Sequence, residues 1–107
     1  MPVKVRGKTD PILDRFVEVL ERYQADHPKA QIDLYRQNRY SIRVRILDPG
    51  FEGKTKVERS NFVWKNYLDK LSDEDQSDLS ALILLTADET SMSLSNLEFE
   101  DPTPSRV

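Results

Sequence analysis

The sequence predicts one small α+β domain, in which a mixed three-stranded sheet carries its helices on one face. Three observations lead there. Apolar residues recur at helical spacing between Ile12 and Tyr23, and again between Val57 and Leu71. Two β-branched, alternating segments, 31–36 and 40–47, lie back to back. A continuous apolar run, Ala81-Leu82-Ile83-Leu84-Leu85, follows at strand length. The chain has 107 residues, 37% apolar and 33% charged, enough for one modest core and too little for two domains.

Each element has a local reason. Residues 1–8 are basic and without periodicity, so they predict a flexible arm. Thr9 or Asp10 caps the first helix and Pro11 takes its first position, where a missing N–H costs nothing. Ile12, Phe16, Val19, Leu20 and Tyr23 form its apolar stripe, and His27-Pro28 ends it, because the residue before proline resists helical geometry. Gln31–Arg36 and Tyr40–Leu47 then pair as a hairpin around Gln37-Asn38-Arg39. In the second strand Ile42, Val44 and Ile46 face the core, while Arg43 and Arg45 face away.

Asp48-Pro49-Gly50 breaks that strand. Thr55 and Glu58 fit a capping box that opens the second helix. Val57, Trp64, Leu68 and Leu71 share one side of it, Val63 and Tyr67 broaden that side, and Phe62 is left for a neighbour or for solvent. Ser72-Asp73-Glu74-Asp75 opens a short third helix to about Asp78, and Ala81–Leu85 reads as a strand buried on both faces or paired centrally. The helical crossover makes this last strand parallel to the second if they are neighbours. The expected order is α-β-β-α-(short α)-β over residues 9–90, followed by an acidic, disordered tail over 91–107. The expected core is Ile42, Val44, Ile46, Val57, Trp64, Leu68, Leu82 and Leu84.

Composition removes several function classes. The chain has no cysteine, which excludes disulfides, a thiol nucleophile and thiolate metal sites. No apolar run approaches the length of a membrane span and the first residues lack a signal peptide's apolar centre, so a cytoplasmic protein without membrane partners is expected. The net charge of −3 conceals an asymmetry: residues 1–59 balance at +4 and residues 60–107 at −7. Such a dipole suits an anionic partner, a self-association, or simply a solvated surface.

Around the second loop the chain reads Phe51-Glu52-Gly53-Lys54, then Arg59-Ser60, then Val63-Trp64. With the element order, this resembles the BolA-like proteins, relatives of the type II KH fold, whose signature is Phe-x-Gly followed by Arg-His and an apolar pair. The resemblance covers about residues 10–90 and implies a BolA/KH-like fold with Phe51, Gly53 and Arg59 as motif residues. Ser60 stands where the family has a histidine, and the histidine preceding the family's last strand falls near Asp78. Family members that share an iron–sulfur cluster with monothiol glutaredoxins use such histidines as ligands. With His27 as the one imidazole, that role does not carry over, and neither a metal nor a cofactor is expected.

No catalytic constellation is legible either. His27 sits at a helix end, and the acids of 73–78 suit a helix start. Gly50-Phe51-Glu52-Gly53 matches the bare Gly-x-x-Gly of KH domains, but it follows a strand and contains an acid. The hairpin is more suggestive. Tyr35, Arg36, Arg39, Tyr40, Arg43 and Arg45 interleave arginine with aromatics, with Lys54 and Lys56 at the next helix start. The expected function is therefore a non-enzymatic binding or regulatory protein that recognises single-stranded nucleic acid through Tyr35, Arg36, Arg39, Arg43, Arg45, Lys54 and Lys56. Two alternatives stay open. The arginine stems shield a sheet face and pair with acids such as Asp33, or the protein is an adaptor or homodimer that docks a protein partner at a sheet edge.

Overall fold

A computed structural model describes residues 3–100. The chain forms β1 (Lys4–Arg6), α1 (Pro11–Asp26), β2 (Gln31–Asn38), β3 (Ser41–Leu47), α2 (Lys56–Asn66), α3 (Asp73–Ser77), β4 (Leu79–Leu85) and α4 (Leu94–Glu100). The four strands make one sheet in the order β1-β2-β3-β4, with β2 and β3 antiparallel and both outer pairs parallel. The α+β class and the hairpin stand as expected, but the sheet has four strands.

The fourth strand comes from residues expected to be a flexible arm. Val3 and Val5 pack against the core, and Lys4, Val5 and Arg6 register with Asp33, Leu34 and Tyr35. Three residues are too few for periodicity to reveal, and their pairing partners lie some thirty positions away.

Local signals held for α1. The Asp10 carboxylate accepts from Leu13 N–H at 2.9 Å, and His27 N–H closes the helix onto Tyr23 O at 2.8 Å. Leu13, Phe16, Val19, Leu20 and Tyr23 are buried against Ile32, Leu34, Ile42, Val44 and Ile46, the main core. The Thr55–Glu58 capping box of α2 is formed in both directions. Trp64 and Leu82 are partly buried at the margin of this core, while Leu68 and Leu84 lie within it.

Val57 is a correction: it is 67% exposed. The expected stripe treated Val57 to Leu71 as one helix, whereas α2 ends at Asn66 and a separate 3-10 turn, Leu68–Lys70, carries Leu68 inward. Freed from that register, α2 turns Arg59 and Val63 to the sheet.

The tail is the second correction. Instead of being disordered from residue 91, the chain folds back as α4, with Phe99 fully buried against Tyr35, Ile83 and Leu85. Residues 101–107 lie outside the described residues. Two layers of side chains therefore cover the sheet. The main core lies under α1 and α2; a smaller cluster under α4 covers the opposite face.

Candidate functional site

The residues expected to bind an anion are divided among four places. Arg36 leaves the sheet on the α1 side, donating to Asp10 at 2.5 and 3.1 Å and to Asp78 at 3.2 Å. That guanidinium lowers the Asp10 carboxyl below its ordinary range. Arg43 and Arg45 lie on the α4 side. Arg45 holds Asp33 with two bonds of 3.1 and 2.9 Å, and its remaining nitrogen reaches Asn96 and Glu100, both at 2.8 Å. Arg43 donates to the Tyr35 hydroxyl at 3.2 Å. Lys54 and Lys56 are exposed at the α2 start, across the sheet from Arg45.

Only the hairpin tip keeps the expected character. Tyr40 is 62% exposed, and Arg39 lies over its ring at 6.0 Å. On the α4 side Phe99 occupies the position a ligand ring would take. The Arg6 and Arg45 guanidiniums stand 4.4 and 4.9 Å from its centroid, and Tyr35 meets it edge-on at 5.0 Å. The alternative of arginines shielding a face and pairing with Asp33 is the arrangement present. The Asp33 pairing is legible in the sequence, but the contributions of Glu100 and Phe99 are not, because they arrive from more than fifty residues away.

Two of the motif residues, Phe51 and Arg59, line a cleft of about 320 Å³ between the end of α1, the start of α2 and the loop joining β3 to α2. Tyr23, His27, Phe51 and Phe62 form its walls, and Asp48 lies at its base, 5% exposed. Asp48 accepts from the Tyr23 hydroxyl at 2.5 Å and from Gly50 N–H at 2.8 Å. Burial first, and then that carboxylate, push the Tyr23 hydroxyl far above its ordinary pKa. His27 stacks on Tyr23 at 4.2 Å and places Nδ1 3.1 Å from Tyr23 O. A carbonyl only accepts, so Nδ1 carries the proton and Nε2 is the nitrogen left over.

Arg59, the motif arginine, is buried beside this cleft. It donates to Glu89 at 2.7 and 3.0 Å and to Leu84 O at 2.9 Å, while its buried Nε has no hydrogen-bond partner among the described residues. The guanidinium holds the Glu89 carboxyl down to about 2, helped by Thr86 N–H. Gly53, at φ +78°, supplies the left-handed turn that brings the chain back to Thr55. In the sequence Asp48 stood out only as a strand breaker and Tyr23 only as core. Their partnership joins positions 25 apart, which no spacing rule reaches.

A third feature is the outer edge of β4. Leu85 O bonds back to Asp48 N at 3.0 Å, so strand alternation turns the backbone groups of Leu82 and Leu84 outward. Arg59 takes Leu84 O. Leu82 N–H, Leu82 C=O and Leu84 N–H face a groove flanked by Lys56, Ser60 and Ser93. β4 itself, Leu-Ser-Ala-Leu-Ile-Leu-Leu, has no charged residue.

No family model, curated protein or solved structure matches the chain, so its fold and its three candidate surfaces stand on their own geometry.

Proposed function

We propose that this protein is a non-enzymatic, BolA-like interaction module that receives an extended strand of a protein partner along the outer edge of β4. The carrying observation is that edge: a seven-residue uncharged strand whose outward backbone groups open into a groove. Strand addition needs unpaired main-chain donors and acceptors with side-chain walls beside them, and both are present there. The absence of charge on β4 also lets a second copy approach without like-charge repulsion. The family-level part of the proposal draws on the Phe51, Gly53 and Arg59 motif and on the two-helix crossover between parallel β3 and β4.

Amide exchange tests the docking directly. Samples are compared from dilute to concentrated, and with neutral apolar heptapeptides that include the sequence of residues 79–85. Protection should rise at Leu82 and Leu84 and stay level at Ile83, whose groups already serve the sheet. Unchanged exchange at Leu82 and Leu84 under every condition would retire the edge as a docking site.

Nucleic acid is the second proposal, favoured by the exposed Arg39–Tyr40 pair. Base stacking on one tyrosine contributes about 1–3 kcal/mol, so an oligonucleotide titration at low salt should lose most of its signal in Tyr40→Ala. Equal binding by that variant would remove the hairpin tip from consideration.

A further inference from the structure

The cleft beneath the motif loop contains a charge imbalance that the β4 edge does not use. Asp48 and Asp75 are the two buried carboxylates among the described residues. Asp75 is balanced by Arg15, whose guanidinium donates to it at 2.5 and 2.9 Å. Asp48 has no such partner: among the described residues no cationic side chain forms an ion pair with it, and its donors are a phenol and a backbone N–H. A carboxylate taken out of water without a counter-charge is costly to the fold, and a cation arriving beside it relieves that cost.

The walls supply the other half of a cation site. Phe62 stands across Tyr23 at 77° and across His27 at 86°, with centroids 6.4 and 5.7 Å apart, so rings present both faces and edges to the cleft. Phe62 remains 41% exposed at its mouth, so its ring is reachable from solvent. Aromatic faces attract a cation through the ring quadrupole, most strongly where water is partly excluded. The rim charges cancel: Arg59 is neutralised by Glu89, and exposed Lys54 stands beside Glu58.

The geometry points to a binding site for a small organic cation, an alkylammonium whose charged head lies toward Asp48 and whose carbon atoms lie against Tyr23, Phe62 and His27. Inorganic cations are disfavoured, because the cleft offers one carboxylate and rings where a hard metal ion needs several oxygens. The head group belongs either to a free amine or to a lysine side chain of a partner.

Choline and its neutral isostere 3,3-dimethylbutan-1-ol separate charge from shape. Titrated into the intact protein and followed by the amide and ring signals of Gly50, His27 and Phe62, choline should saturate at roughly millimolar concentration. The alcohol should bind about tenfold more weakly. Asp48→Asn, which keeps the shape and removes the charge, should bring choline down to the alcohol's affinity. Should that buried variant not fold, Phe62→Ala at the exposed mouth should still weaken choline about fivefold. Comparing n-butylammonium with N-acetyl-lysine methylamide assigns the source: tighter binding of the free amine indicates a small molecule, and tighter binding of the lysine derivative a partner's side chain. Equal binding of choline and alcohol, no saturation by about 50 mM choline, or full affinity in Asp48→Asn or Phe62→Ala would overturn the site.

Discussion

The two edges of this sheet are built on opposite terms. β1 is three residues long, places Lys4 and Arg6 at the margin, and is tied down where Arg6 lies between Tyr35 and Phe99. β4 is seven residues long, has no charge, and has one of its outward carbonyls capped by Arg59. Short charged edges resist further pairing and long neutral ones invite it. The difference teaches that protection here is local to one side, which is why the proposed docking site is placed on β4.

The comparison breaks most visibly at Phe99. Removing its ring in Phe99→Ala empties the α4 cluster and should cost about 3 kcal/mol in urea denaturation. Amide protection should fall first and furthest in β1 and α4, and less in β4, whose Ile83 and Leu85 share the emptied cluster but whose Leu82 and Leu84 still pack into the main core. Equal loosening at both edges would mean the two are not independent.

Arg59→Met comes next. Losing two bonds to Glu89 and one to Leu84 O should cost about 1–3 kcal/mol by the same measurement. It also releases the capped carbonyl, so concentration-dependent association seen by sedimentation should strengthen even as stability drops.

Ser80→Lys tests the opposite direction. Ser80 is exposed on β4, so stability should change by no more than about 0.5 kcal/mol. Association along that edge should nonetheless weaken about tenfold, the ordinary result of placing a charge on a pairing strand. A variant as associative as the parent would place the contact elsewhere.

The smallest expected effect is a pH dependence. Glu89 is held down to about 2 from an ordinary 4.5, so its contribution is full above 4.5 and is lost as pH falls toward 2. Unfolding midpoints collected through that window should flatten in Glu89→Gln.

Legibility in the sequence followed the distance over which each feature is made. The α1 and α2 caps, the hairpin and the strand at Ala81–Leu85 rest on neighbours within a few positions, and all are present. β1 and α4 depend on Val5 meeting Leu34 and on Phe99 meeting Tyr35, and neither is visible to periodicity. Val57 was misjudged because a helix end at Asn66 broke a stripe that looked continuous. The arginines stand out as a group and Asp33 as one acid for them, but Asp10, Asp78 and Glu100, which join from distant elements, do not. Phe51, Gly53 and Arg59 were found from their motif. Asp48 and Tyr23, which line the cleft with Phe51 and Arg59, were not.

The clamp of Arg6 on Phe99 has a consequence for how the chain is made. Arg6 Nη2 donates to Phe99 O at 2.7 Å across 93 positions. During synthesis α1 and the hairpin can form before residue 99 is made, but β1 has no aromatic lid to close over it until that residue emerges. The earliest-made strand is thus among the last to be secured.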